Sequence, residues 1–148
     1  MSQSKFVVVL RGLPGTGKST YVKKHYNDAF ICSADSFFVN EEGKYEFANW
    51  KLPQAHQHCF HLFIEAVING EEIIVIDNTN TCVWEYENYI FLAEKLGYQT
   101  KIVRMHFEKS DIPVLEKRNN HNVPIFAIKQ MFERFENDAR EIIAIYPF

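Results

Sequence analysis

Short, wholly apolar runs alternate along this chain with stretches of three-and-four spacing, and that alternation predicts an α/β fold. Phe6-Val-Val-Val-Leu10 is apolar at every position, as in a strand buried on both faces, and a helix beginning near Lys18 follows it to about Tyr26. Ala29-Phe-Ile-Cys32 is a second, shorter strand. Pro53 opens a helix to about Asn69, ended by Gly70, with Ala55, Cys59, Leu62, Phe63, Ala66 and Val67 on one face. Glu72-Ile-Ile-Val-Ile76 predicts the third strand, and Val83 to Leu96 a helix closed by Gly97. Thr100 to His106 is the fourth strand, its faces mixed enough to lie toward the sheet edge. A last helix starts at Pro124, with Ile125, Ile128, Phe132, Phe135, Ala139 and Ile142 stepping along it to cover the sheet. The closing Tyr146-Pro-Phe148 carries no pattern.

Composition narrows the class. With 148 residues, 47% hydrophobic and 13 of them Phe, the expectation is one globular domain over 1–148. A net charge of −3 without a basic block argues against broad binding to duplex nucleic acid, while a strand end held locally fits. The apolar runs are too short to span a membrane and Met1-Ser-Gln-Ser-Lys5 has no signal-peptide pattern, so a cytoplasmic protein is expected. Cys32, Cys59 and Cys82 are scattered and read as reduced thiols with no structural metal. His56, His58 and His61 do not make a metal site either, because His56 and His58 cannot face one another on a helix.

The chemistry lies where the first strand meets the first helix. Gly12-Leu13-Pro14-Gly15-Thr16-Gly17-Lys18-Ser19-Thr20 matches the phosphate-binding pattern G-x-x-x-x-G-K-[ST] at every fixed position. Its glycines let backbone N–H groups close around an anion at a helix N-terminus. Lys18 is placed to reach the β- and γ-phosphates, and the Ser19 hydroxyl to ligate Mg²⁺. A nucleoside triphosphate, ATP with Mg²⁺, is the expected ligand.

Other candidates sit just past the carboxyl ends of strands, where open parallel sheets bind ligands. Asp35 is either a general base facing the γ-phosphate or a cap of the next turn. Asp77 follows four apolar residues, as in a Walker B strand whose acid organises the Mg²⁺ shell. Asn78, Thr79 and Asn80 at the same strand end either bind an acceptor or serve the turn. Tyr45, Phe47 and Trp50, on a polar loop, either stack on a flat acceptor or pack the loop down. Lys117, Arg118 and His121 suit a mobile lid over about 110–123, or an ordinary charged surface helix.

Five blocks in order resemble one family: Leu10 to Thr20, Ile31-Cys-Ser-Ala-Asp-Ser-Phe-Phe38, Tyr45-Glu-Phe47, Ile76-Asp-Asn-Thr-Asn80, and Lys117-Arg-Asn119 with Val123-Pro124. The set resembles the P-loop kinase domain of polynucleotide 5′-hydroxyl kinases, the phage enzyme among them. It is closer still to the small ATPase domains grouped with the Nedd-ligase-binding polynucleotide kinase of animals. The resemblance implies a P-loop NTPase fold: a doubly wound, mainly parallel sheet flanked by helices, its P-loop strand central and a helical lid above. It implies that Asp35 deprotonates the acceptor 5′-hydroxyl and that Arg118 stabilises the transferring phosphoryl group. The chain departs from the phage enzyme at Phe38, which stands where an acceptor-gripping arginine would. A second basic lid residue is missing, and the acid of the Asp-Thr-Asn segment is shifted to Asp77. The expected activity is transfer of the ATP γ-phosphate to a hydroxyl, foremost the 5′-OH of a single-stranded nucleic-acid end. Its rivals are a kinase for a nucleoside or other small hydroxylated acceptor, with Phe38 as an apolar wall, and an ATP-hydrolysing binding or switch module.

Overall fold

The computed structural model describes residues 4–145, so the first three residues and Tyr146-Pro-Phe148 lie outside the described residues. Five strands are present: β1 (Phe6–Arg11), β2 (Phe30–Cys32), β3 (Ile73–Asp77), β4 (Gln99–Met105) and β5 (Glu141–Ala144). Five helices accompany them: α1 (Lys18–His25), α2 (Leu52–Ile68), α3 (Glu87–Lys95), α4 (Ile112–Arg118) and α5 (Ile125–Arg134). The strands lie in the order β2-β3-β1-β4-β5, and every pairing is parallel. β1 is therefore central. The chain winds outward from it to β2 and then crosses back to β4, which makes the end of β1 a topological switch point.

Each face of the sheet is covered. Val7 and Val9 of β1 point with Ile74, Ile76 and Ile102 into a core closed by α2 and α3 through Ala55, Cys59, Phe63, Ala66, Ile90 and Ala93. Val8 and Leu10 point the other way, against Val22 of α1 with Val75, Val103 and Met105. Successive strand residues face opposite sides, so a strand covered on both must be apolar throughout. Burying each such side chain stabilises the fold by roughly 1.5–3 kcal/mol. A third cluster joins Leu13 of the phosphate-loop motif to Phe107, Ile112, Leu115 and Ile128, so α4 and α5 pack onto the loop itself.

β4 lies toward the sheet edge, one strand in: it pairs with β1 and with the edge strand β5. Two expectations are corrected. The helix predicted from Val83 starts instead with a 3₁₀ turn, Val83–Glu85, before α3. The last helix does not run to Ile142. It stops at Arg134, where Phe135 turns to an extended conformation, and Asp138 accepts from the Arg140 amide at 2.9 Å to launch β5. Phe135 thus leaves the helical stripe for another place, between the guanidinium groups of Arg11 and Arg104, each 4.6 Å from its ring centroid.

Candidate active site at the end of the central strand

β1 ends at Arg11, and 12–17 carry the chain around into α1. The turn needs left-handed backbone at Gly15 (φ 83°) and Gly17 (φ 95°). At Gly15 even a methyl group is excluded, since a Cβ there would lie 2.4 Å from the Leu115 carbonyl oxygen of α4. Gly17 is the N-cap of α1 and supplies no side chain to the first-turn N–H groups, which stay available to an anion. Thr16 is buried and its hydroxyl donates to the Leu13 carbonyl at 2.7 Å, bracing the loop from within. Ser19 and Thr20 are exposed on the first turn of α1.

Lys18 folds back over this loop. Its Nζ donates to the carbonyls of Gly12 at 2.9 Å and Leu13 at 3.2 Å. Burial pushes its ammonium down from the ordinary lysine range, while the Asp77 and then the Asp35 carboxylates pull the other way. Asp77, the last residue of β3 and in register with Leu10, is pushed up by burial, against the opposing pull of Lys18. Burial thus disfavours the charged form of each group, and each group's charge favours that of the other.

The second acid is built differently. Ser33, not Asp35, caps the 3₁₀ turn Ala34–Phe38: the Ser33 hydroxyl oxygen accepts from the Asp35 amide at 3.1 Å. The Asp35 carboxylate is thereby released from capping and stands half exposed. Its Oδ2 lies 3.4 Å from His121 Nε2, and its Oδ1 accepts from the Tyr45 hydroxyl at 3.4 Å. Arg118 closes α4 and lines a cavity of about 200 Å³ beside the phosphate loop, with Thr16, His106, Glu108, Asp111 and Leu115.

Several candidates are not presented to a ligand. Phe38, expected as a wall of the acceptor site, is only 5% exposed and packs in the core against Phe37, Tyr45 and Phe47. Asn78 is buried; its Oδ1 accepts from the Ala34 amide at 2.8 Å, tying the end of β3 to the turn that bears Asp35. Asn80 is buried at φ 49° and donates from Nδ2 to the Leu10 carbonyl at 2.7 Å. Thr79 contributes its carbonyl to the Gly12 amide at 3.0 Å. The side chains of Asn78 and Asn80 thus anchor the loops, and Thr79 does so through its backbone. Buried amides need partners, and the strand ends supply them.

Other parts of the site had no clear advance signal. Arg11 is fully buried and donates to the carbonyls of Asn80 (2.9 Å), Thr81 (3.0 Å) and Glu136 (2.7 Å), and to the Glu141 carboxylate. An arginine ending an otherwise apolar strand was the only hint. The Tyr45 and His121 contacts with Asp35 join residues 10 and 86 positions away from it, which spacing does not reveal. Among the described residues no group of three or more His, Cys, Asp or Glu side chains could hold a metal. Mg²⁺ takes few protein ligands and leaves the rest of its shell to phosphate and water. No helix among the described residues is long and apolar enough to cross a membrane.

A family model described as an AAA domain matches residues 7–137. The chain is 31% identical over 140 residues to NEDD4-binding protein 2 of Homo sapiens, covering 88% of this chain and 8% of that protein. It is 28% identical over 144 residues to the bifunctional polynucleotide phosphatase/kinase of Schizosaccharomyces pombe, covering 91% and 31%. The chain thus spans less than a third of either relative. Among solved structures, the Pnkp1/Rnl/Hen1 RNA repair complex contains a chain with the same fold, at a TM-score of 0.68 and 14% identity, covering 91% of this chain and 45% of that one.

Proposed function

The chain belongs to the AAA domain family, with a P-loop kinase-like fold, and from that premise we propose that it transfers the γ-phosphate of Mg-ATP to a hydroxyl, foremost the 5′-OH of a polynucleotide. The observation that carries this reading is the meeting of the phosphate loop with two acids, Asp77 at the end of β3 and Asp35 just past β2. A hydrolytic switch needs the loop and one metal-ordering acid. A second, half-exposed carboxylate facing the same lysine fits an acceptor whose proton must be taken. The polynucleotide phosphatase/kinase among the relatives favours a nucleic-acid end over other hydroxyls.

In this reading backbone N–H groups between Leu13 and Ser19 cradle the triphosphate, while Pro14, which has none, and Thr20 shape the turn around it. The nucleoside part lies toward the cavity beyond Thr16. Lys18 leaves the Gly12 and Leu13 carbonyls for the phosphates, whose negative charge offsets the burial of its ammonium. Ser19 would hold Mg²⁺ and Asp77 would order its shell; the ion supplies charge neutralisation on the transferring group. Asp35 holds the acceptor hydroxyl in line and takes its proton, and Arg118 swings onto the phosphoryl group. The work is positioning and electrostatics.

The test is incubation with Mg²⁺, γ-labelled ATP and a single-stranded 5′-hydroxyl oligonucleotide, beside the Asp35→Asn variant. Label on the oligonucleotide with the wild type, lost by at least about a hundredfold in the variant while ATP affinity holds, supports the reading. Label released only as inorganic phosphate overturns it. Label moved instead to a nucleoside or sugar would keep the kinase and replace the acceptor.

A further inference from the structure

Two loops that begin far apart converge on the Asp35 carboxylate. One is a tight antiparallel turn bridged between Val39 and Tyr45, in which Asn40 Oδ1 accepts from the amides of Glu42 and Lys44, both at 2.9 Å. This turn is braced at its base by the Glu46 amide on the Phe38 carbonyl at 2.8 Å. It holds the Tyr45 ring against Phe38 and stacked parallel to Phe47, with 15° between the planes. The other loop follows α4. Asn119 accepts there from the amides of His121 (3.3 Å) and Val123 (2.8 Å) and donates to the carbonyls of Glu116 (2.7 Å) and Val123 (3.2 Å). Asn122 takes a left-handed conformation, φ 56°. Asparagine is among the few non-glycine residues that adopt this region readily, and here it closes the turn that carries His121.

The two side chains meet over the acid, their rings 4.4 Å apart and tilted by 43°. Each takes a different carboxylate oxygen, His121 Nε2 at 3.4 Å from Oδ2 and Tyr45 OH at 3.4 Å from Oδ1. Burial, and then the Asp35 charge, pushes the Tyr45 phenol above its ordinary range, so it remains a donor. The Tyr45 hydrogen bond and the His121 ion-pair contact are both long, as catalytic contacts commonly are before substrate engages. Each oxygen retains a lone pair for an incoming hydroxyl.

We propose that Tyr45 and His121 are positioning residues that lock the Asp35 side chain in its working orientation, His121 doing so from the lid. The proposal rests on the reading of Asp35 as the base. It makes lid closure and base alignment a single event: His121 reaches the carboxylate only when the lid segment lies over the crevice. It also assigns Phe38 an indirect part, as the buried ring behind Tyr45.

Tyr45→Phe and His121→Ala are each expected to lower kcat for phosphoryl transfer by about tenfold to a hundredfold with KM for ATP unchanged, the cost of a misaligned base. His121→Gln, which keeps an N–H donor, should recover part of the loss. In the Asp35→Asn background, adding His121→Ala should cost nothing further. A fall in acceptor affinity alone, additive in that background, would reject positioning and make His121 a simple acceptor contact. A second readout needs no turnover. Amide hydrogen exchange at 119–123 in the ligand-free protein should quicken in Asp35→Ala relative to wild type, because the lid loses its tether. Unchanged exchange there overturns the proposal even if the kinase reading stands; absent transfer with quickened exchange sinks the kinase reading and leaves the tether.

Discussion

Lys18 carries its charge where burial outweighs the support of its loop carbonyls and of the Asp77 and Asp35 carboxylates. Replacing it with methionine should therefore leave the melting temperature of the ligand-free protein unchanged or raise it, since removal of an enclosed ammonium relieves desolvation. The same change should abolish tight ATP binding. Thermal unfolding with and without Mg-ATP checks both, and a destabilised ligand-free variant would contradict the account. Single residues of the loop were legible because each fixed position of the pattern has one physical reason. Phe38, Asn78 and Asn80 were not, since strand-end position says which residues are near a crevice and not which way they point. A polar side chain at a strand end has two customers, the ligand and the unpaired backbone of the next turn. Here the backbone takes both asparagines.

At the scale of elements, α4 sits on the phosphate loop closely enough to have selected glycine. Gly15→Ala meets both a left-handed φ and the Leu115 carbonyl, so α4 must retreat. The expected outcome is a loss of at least about 1 kcal/mol in urea unfolding, together with weaker nucleotide binding. A variant of wild-type stability would mean that α4 already moves freely. β1 to β4 and α2 were readable from apolar runs and helical faces. β5 was not, because its Glu-Ile-Ile-Ala run continues the three-and-four spacing begun at Ile125, and short apolar runs are ambiguous between helix and strand. The break is local: the turn at Asp138 forms through side-chain bonds that periodicity does not register.

Across the molecule, one charged network ties that late strand to the first. The side-chain bonds of Arg140, with the Tyr86 hydroxyl at 2.6 Å, hold the Asp138 carboxyl well below the ordinary carboxylate range despite its burial. A lowered native value stabilises the fold above the unfolded pKa of about 3.9, and that contribution is lost as pH falls below it. Asp138→Asn should therefore lower the urea midpoint at neutral pH, with the difference shrinking as the solution is acidified toward the depressed value. A pH-independent difference would assign the effect to packing. Arg11→Ala is expected to be the more severe change, on the order of 3–5 kcal/mol, because it leaves three enclosed carbonyls without their donor and the Glu141 carboxylate held by Arg104 alone.

That network also orders events in time. Arg11 and Arg104 are direct partners on adjacent strands, two like charges side by side, and Glu141 answers both. It stands 130 positions after Arg11. The phosphate loop follows Arg11 directly, yet the carboxylate that answers Arg11 and Arg104 comes only after every other strand and helix among the described residues. Docking of β5 is thus the step that commits this fold. A fragment halted at residue 140 should remain protease-sensitive even though it contains every residue assigned to catalysis.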